Sequence, residues 1–437
     1  VGRARFLCAA VALAGSLGTA SGVSALPSRW VQNYGVDVPG CGTQAFPCRS
    51  ITHAIAAASP GATIWVGPGR YGDLNRNGQF DAGDEGPPRH AEFGFVSAWV
   101  AIDKSVSVLS THGAEVTQID IGAGLPSPDG NAVPQQSVGL FSNDLVFGDV
   151  GHGFRVKGGT GTAIGGIGTD AEIELSNVRI SGNIVEGGGI GISLSQFVEI
   201  SDNQVLDAET GIYVSLETRV LSLGTGPVTI VRNTLRGNRF GAFLYGKGIT
   251  FSGNIVDGNS EYGISASDFD PTFTDEAQAD MPRSSIDDNY IVGNGTTGLS
   301  VRALGAVVHN AVIGNVRGGL LQIAYGTLSR LELNDFYGNG SLPAEPARPR
   351  IPSPFPANCG IVFDDSAGPI FGDDPVVQLV ARNNYWGAAT GPGPDPADDS
   401  GSAGLPCQVR PPPVLDTPFA TLPFDVPIPV KRAAPRG

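Results

Sequence analysis

Basic side chains are scarce in this sequence: 27 Lys and Arg face 42 Asp and Glu, and charged residues make up only 16% of the chain. A formal charge of −15 has the wrong sign for a general nucleic-acid binder, which needs bases to displace counterions from phosphates. Long apolar runs are missing too. Beyond residue 25 none approaches the ~20 residues that cross a bilayer, so no membrane span is expected there. The sequence also lacks a His-x-x-x-His pair, a Ser nucleophile elbow, a Walker loop and a dinucleotide fingerprint. The Gly-x-Gly spacing between Gly158 and Gly168 has no βαβ unit around it and reads as a connection.

Glycine and proline are abundant instead, at 63 and 33 of 437 residues. Glycine is about twice its usual ~7%, which argues against a helical bundle. With 41% hydrophobic residues the chain can still bury a large core, so it is expected to be globular and turn-rich rather than disordered.

Residues 1–25 have the grammar of an export signal: Arg3 and Arg5, an apolar stretch from Phe6 to Leu17, then small residues ending in Val23-Ser24-Ala25. Cys8 lacks the small residues that precede a lipoprotein cysteine. Beyond the signal lie Cys41, Cys48, Cys359 and Cys407, an even set for which disulfides are expected in an exported chain. Three pairings are possible. Cys41–Cys48 and Cys359–Cys407 are preferred, because each would pin a loop at one end of the molecule. No close Cys-x-x-Cys pair occurs among them, which argues against zinc. The expected location is secreted, either extracellular or periplasmic.

From about residue 140 a short pattern recurs: alternating apolar residues, Asn, an apolar pair, a small turn, then Gly and another alternating run. Asn183, Asn203, Asn233, Asn254, Asn289, Asn310 and Asn334 follow one another at spacings of 20, 30, 21, 35, 21 and 24. A period just over 20 with insertions is the signature of a solenoid. The apolar runs are three to six residues long and alternate with period two, which suits strands facing a core on one side. A leucine-rich repeat would need a Leu ladder and a helical segment, and neither is present. Three short strands per turn with Gly and Asn corners build a parallel β-helix whose coils stack about 4.8 Å apart. Asn suits the corner because it tolerates left-handed backbone and its amides can bond from coil to coil. These residues are read as structural, not catalytic.

The open ends of such a stack need covering. Ser50 to Ala58 reads as a short helix with Ser50 as N-cap, followed by Pro60-Gly61 and the strand Thr63 to Val66. From Gln408 onward the chain carries Pro411-Pro412-Pro413, which cannot donate to a ladder.

The run from Cys48-Arg-Ser-Ile-Thr-His to Val-Gly-Pro-Gly-Arg-Tyr71 resembles the N-terminal cap of secreted bacterial β-helix proteins of the pectin lyase-like superfamily. Asn383-Asn-Tyr-Trp-Gly-Ala-Ala-Thr-Gly-Pro392 is similar to the final-coil motif of that group. With the repeats, the resemblance extends over nearly all of residues 38–425. It implies an all-β, single-stranded right-handed parallel β-helix with a short N-terminal capping helix. The expected layout is a signal peptide over 1–25, an N-terminal segment and cap over 26–71, an insertion over 72–99, the β-helix over 100–407 and a Pro-rich tail over 408–437. Activity is not implied, because the superfamily hosts lyases, hydrolases, epimerases and non-catalytic members.

Within the insertion, Asp73, Asn75, Asn77, Asp81 and Asp84 place oxygens at loop positions 1, 3, 5, 9 and 12, with Gly78 at 6 and the Gln79 carbonyl at 7. This spacing wraps one calcium ion. It resembles a dockerin-type loop, although a dockerin needs two such loops, and Pro87-Pro88 follows where an exiting helix would begin. A single structural Ca2+ is expected.

Alternation within the strands after each repeated Gly puts Arg155 and Lys157, Ser193 and Ser195, Tyr213 and Ser215, Phe243 and Tyr245, Ser265 and Ser267, and Ser300 and Arg302 on the outside. Read as one face, this offers aromatics for sugar rings and bases for carboxylates. The candidate substrate-binding residues are therefore Arg155, Lys157, Tyr213, Phe243, Tyr245 and Arg302. The resemblance implies that such a sheet is a substrate cleft. A solvated sheet face with aromatics filling pleat surface is the alternative.

A β-eliminating lyase would need a base and a carboxylate neutraliser, and a hydrolase two positioned carboxyls. Asp287-Asp288, Asp364-Asp365 and Asp373-Asp374 sit in turn contexts. Gly151-His152-Gly153 matches one element of polygalacturonases, but their Asn-Thr-Asp and Arg-Ile-Lys elements are absent, so His152 reads as a turn residue. The Asp-Pro-His-Glu signature of alginate epimerases is also absent. The loops Asp268 to Met281 and Pro343 to Pro356 project and could fence a groove. The leading expectation is a monomeric, polysaccharide-directed extracellular protein that binds, and could cleave or epimerise, an acidic glycan. The alternative is a non-catalytic surface or matrix interaction protein.

Overall fold

Runs of three to six residues rich in Val and Ile cannot bury a face alone, and here they do so by stacking on their own kind. The computed structural model describes residues 28–75, 77, 81, 84–85, 89–90, 97–122, 135–159, 161–166, 175–194, 197–215, 226–268, 282–302, 304–323, 330–340, 359–364, 379–393, 397–399 and 416–427. Its strands form three sheets of 11, 10 and 11 strands. The first runs from Ser28–Val31 to Arg330–Glu332, the second from Gly69–Gly72 to Asp335–Tyr337, and the third from Arg89–His90 to Ile361–Asp364.

One coil shows the rule. Val198–Ser201 lies in the first sheet, Gln204–Leu206 in the second and Thr210–Ser215 in the third. The next coil repeats it in parallel register, with Val198 beside Val228, Ile200 beside Ile230, Val205 beside Leu235 and Ile212 beside Ala242. These side chains point inward and are at most 3% exposed. Full burial of each Val or Ile stabilises by roughly 1.5–3 kcal/mol. Among the described strands, the pair Arg89–His90 and Ser97–Ile102 alone runs antiparallel.

The corner between first and second strands carries the expected asparagine ladder, buried from Asn183 to Asn384. Each Nδ2 donates to the Oδ1 of the next coil: Asn183 to Asn203 at 3.1 Å, Asn203 to Asn233 at 3.0 Å, and so on to Asn334 and Asn384 at 3.0 Å. One reason expected for Asn there is overturned. The left-handed backbone belongs to the preceding residue, with φ of 58° at Asp202, 57° at Arg232, 57° at His309 and 59° at Leu333. Asn is chosen for its amide, which saturates donors and acceptors in a buried corner.

A second ladder occupies the corner between second and third strands and was not singled out from the sequence. Asn238, Asn259, Asn294, Asn315 and Asn339 bond in series at 2.9–3.0 Å, and Asn339 ends on Asp398 Oδ2 at 2.7 Å. It explains the repeated glycines. A Cβ on Gly241 would meet the Gly263 carbonyl oxygen at 2.3 Å and the Asn259 amide at 3.1 Å. These glycines make room for neighbouring backbone and amide.

The N-terminal end is closed by the helix Ile51–Ala57, which buries Ile51, Ala54 and Ile55 and is N-capped by Ser50. The Ser50 Oγ accepts the His53 N–H at 3.1 Å. Two bases finish its last turn: Arg29 donates to the Ala57 carbonyl at 2.9 Å and Lys104 to that of Ala56 at 2.6 Å. Cys41 and Cys48 form a disulfide with Cα atoms 5.0 Å apart. Cys359 is disulfide-bonded as well; Cys407 lies outside the described residues.

At the other end Trp386, fully buried, stacks on Phe336 at 5.3 Å. The tail 416–427 crosses this end. Asn383 donates to the Pro418 carbonyl at 2.6 Å, Ala420 to that of Asn384 at 2.9 Å, and the Phe424 N–H to Asp335 Oδ1 at 2.9 Å. The segments 1–25 and 343–356, together with Pro411-Pro412-Pro413, fall outside the described residues.

Candidate functional site

The aromatic residues expected on an outer face do come together, on the third sheet. In register from coil to coil, Tyr213 pairs with Phe243, Phe243 with Ser265 and Ser265 with Ser300, while Ser215 pairs with Tyr245, Tyr245 with Ser267 and Ser267 with Arg302. Adjacent coils bring the ring centroids of Tyr213 and Phe243 to 6.5 Å, of Tyr213 and Tyr245 to 6.4 Å, and of Phe243 and Tyr245 to 5.9 Å. All three rings are half-buried. The patch extends further than alternation foretold. Phe240 lies 4.8 Å from Phe243 and stacks on Tyr262 at 6.1 Å. The Arg239 guanidinium sits 4.8 Å over the Phe240 ring, held by Glu209 and Glu261 at 2.9 Å each. Phe240, Tyr262 and Arg239 stand where a turn enters a strand, and period-two counting says nothing about such positions.

Charge gathers just beyond Tyr245. Lys247 follows on the same coil, Asp268 follows Ser267 on the next, and Arg302 pairs with Ser267 from the coil after that. The Asp268 carboxylate is buried, accepts the Ser284 N–H at 2.9 Å and lies 3.5 Å from Arg283 Nε. Burial pushes its pKa up, opposed by the Ser284 hydrogen bonds and by the charges of Arg283 and Lys247. Ser215, Ser267 and Ser300 belong to the outward columns yet are 3%, 5% and 7% exposed.

Arg155 and Lys157 do not belong to this face. Their strand, Arg155–Lys157, pairs with Thr117–Asp120 and Ile184–Glu186 in the second sheet. The single outward face expected from Arg155 to Arg302 is thus two faces. Alternation tells inside from outside but not which of three sheets a strand joins, and here the run after Gly153 is the second strand of its coil. Arg155 is also engaged, by Glu115 at 2.7 Å and by Glu186. Ser193 is on the third sheet beside Tyr213; Ser195 lies outside the described residues.

The acidic pairs are dispersed. Asp287 ends a first-sheet strand, burial raising its pKa, and Asp288 meets His309 Nδ1 at 2.6 Å. Asp364 ends the strand Ile361–Asp364, and Asp365, Asp373 and Asp374 are outside the described residues. His152 is a turn residue: its Nδ1 meets the Ser110 carbonyl at 2.9 Å and its ring meets Trp65 edge-on at 5.5 Å.

Most members of the calcium-type loop are also brought together. Asp84 accepts the Leu74 N–H with Oδ1 and the Asp81 N–H with Oδ2, each at 2.8 Å. The amides of Asn75 and Asn77 converge on Asp81 Oδ2 at 2.6 and 2.7 Å. Asp73 and Asp84 are 0% and 5% exposed, and Gln79 lies outside the described residues. The next residue, Glu85, is a member of the cap that sequence reading missed. Its buried carboxylate accepts the Ile51 and Thr52 N–H groups and the Thr52 hydroxyl, each at 2.9 Å, and desolvation raises its pKa to about 6.

Residues 142–342 match the family model described as NosD, periplasmic copper-binding protein. No curated protein matches significantly. Among solved structures, a rhamnogalacturonan lyase is 12% identical over 91% of this chain and 87% of its own, with a TM-score of 0.44. A pectate lyase, Pel9A, is 16% identical over 78% and 75%, at 0.36. The A-module of the Azotobacter vinelandii mannuronan C-5 epimerase AlgE6 is 12% identical over 86% and 94%, also at 0.36. Scores this low carry no argument about this chain's chemistry. With three parallel sheets coiled about one core and a helical cap at one end, the chain is a parallel β-helix repeat protein.

Proposed function

We propose that this protein is an exported, polysaccharide-directed β-helix that binds an acidic glycan along the outer face of its third sheet. The observation that carries this reading is the meeting of Tyr213 with Phe243 and Tyr245 of the next coil, with Arg302 further along the Tyr245 column and Lys247 two residues beyond Tyr245. Ring faces accept the apolar faces of sugars, and guanidinium offers paired donors to a uronate carboxylate. The periplasmic family and the Cys41–Cys48 bridge support export, with residues 1–25 as its signal.

The test is titration with pectate, alginate and glycosaminoglycans. Tyr213→Ala and Tyr245→Ala should each weaken binding about 5–10-fold with the fold intact, the loss of one ring contact. Arg302→Ala should weaken it and flatten its salt dependence. Unchanged affinity in all three variants would move the site elsewhere. Absorbance of unsaturated uronates during incubation would add β-elimination to binding. No binding to any polymer would leave a protein partner as the ligand of this face.

The loop from Asp73 to Asp84 is proposed to hold one structural Ca2+, since its donors are oxygens of carboxylates, amides and backbone, the set that hard cation takes. Calcium should raise the melting temperature, and Asp73→Ala with Asp81→Ala should abolish the rise; an equal rise in the double variant would refute the assignment. The copper of the family description has no ready centre among the described residues. One group there could hold an ion, and both of its sulfurs are in a disulfide.

A further inference from the structure

That group sits in the N-terminal cap, away from the aromatic face. Ligand atoms of Asp37, Cys41, Cys48 and His53 all lie within 4.8 Å of one another. They arrive from two directions. Asp37, Cys41 and Cys48 belong to the segment between the first strand and the helix, while His53 comes from the first turn of Ile51–Ala57. Backbone contacts hold each in place. The Asp37 Oδ1 accepts the Arg49 and Ser50 N–H groups at 2.8 and 3.0 Å. Cys48 donates to the Trp30 carbonyl at 2.9 Å, Cys41 to that of Val38 at 3.1 Å, and the His53 N–H is held by Ser50.

We propose that reduction of the Cys41–Cys48 bridge turns this cap into a zinc site, with two thiolates, the His53 imidazole and the Asp37 carboxylate as its four ligands. An external dithiol supplies the reduction. Two electrons and two protons pass to the bridge, leaving two protein thiols and the reductant's own disulfide. Zn2+ then binds as both thiol protons leave, because thiolate is the ligand. Two sulfurs, one imidazole nitrogen and one carboxylate oxygen form a tetrahedral zinc donor set. The tetrahedron's edges would be about 3.3–3.8 Å for metal–ligand distances of 2.0–2.3 Å, so the group closes on an ion by side-chain rotation. The sulfurs are buried, but Thr43 to Phe46 between them are exposed, and opening that loop admits the reductant. The loop is then pinned by a covalent bond in an oxidising medium and by metal in a reducing one.

The test uses the full chain, treated with dithiothreitol, desalted without oxygen and titrated with Co2+ and then Zn2+. Reduced protein should take up one equivalent of Co2+ with a thiolate charge-transfer band and tetrahedral visible absorption, both lost on adding Zn2+, while oxidised protein shows neither. Cys8→Ser, Cys359→Ser and Cys407→Ser together should leave the bands, and Cys41→Ser with Cys48→Ser should remove them. His53→Ala, which keeps both sulfurs, should weaken Co2+ about tenfold or more even if the cysteine variants misfold. Bands that survive loss of Cys41 and Cys48, an unchanged affinity in His53→Ala, or no band in reduced protein that remains folded by circular dichroism would each overturn the proposal.

Discussion

Asn254 shows how much one side chain carries in this molecule. Its Nδ2 donates to Ile230, Ser252 and Asn289, and its Oδ1 accepts both the N–H and the side-chain amide of Asn233. Asn254→Ala would leave buried donors without acceptors at about 1–3 kcal/mol each, so chemical denaturation should show a loss of about 2–4 kcal/mol. A loss below 1 kcal/mol would mean that the ladder relaxes around the gap. Leu333 offers the opposite case. It holds φ of 59° immediately before a ladder Asn, where Gly182 and Gly253 stand on other coils. Leu333→Gly should therefore stabilise by roughly 0.5–1 kcal/mol, the relief of Cβ strain less the entropy of glycine; a lower melting temperature would refute it. Asp335 adds a pH term. Burial raises its pKa from 3.8 to about 6, opposed by the Phe424 N–H and by the nearby His309. The protonated form is thus favoured in the folded state. Its stabilising contribution is complete below the unfolded pKa near 3.9 and is lost as pH rises through about 6. Asp335→Asn should flatten stability between pH 4 and 6, measured as the melting temperature across that range.

At the scale of elements, the capping helix was legible because its signals are local: an N-cap Ser, an apolar periodicity and a Pro-Gly stop. Its anchor was not. Glu85 reaches the first turn from 34 residues away, and nothing near Ile51 in the sequence announces it. Glu85→Ala should leave the Ile51 and Thr52 N–H groups buried without an acceptor, costing about 2–4 kcal/mol. The helix amides should then exchange faster in hydrogen–deuterium exchange while the distant coils keep their protection; protected helix amides would show another group in its place. The second asparagine ladder was missed for a different reason. Asn238, Asn259, Asn294 and Asn315 follow the first series by five residues each, so one pattern was read where two run in parallel.

Across the whole molecule, the ends decide whether a stack of coils stays solitary. The tail 416–427 lies across the last coil and fastens to Asn383, Asn384 and Asp335. Removing residues 416–437 should expose the end around Phe336 and Trp386, lower the melting temperature and promote association that light scattering detects; an unchanged scattering mass and melting temperature would assign closure to another segment.

The sequence by itself determined the solenoid, the inward residues, the first asparagine ladder and the helical cap. Each of these rests on a short-range period or on neighbours in the chain. Only the tertiary structure decided that Arg155 and Lys157 lie on another sheet from Tyr213, that Phe240 and Tyr262 extend the aromatic patch, that Glu85 holds the cap, and that His53 and Asp37 face Cys41 and Cys48. These placements depend on which strand of a coil stacks over which after insertions of unequal length, and no spacing along the chain encodes that.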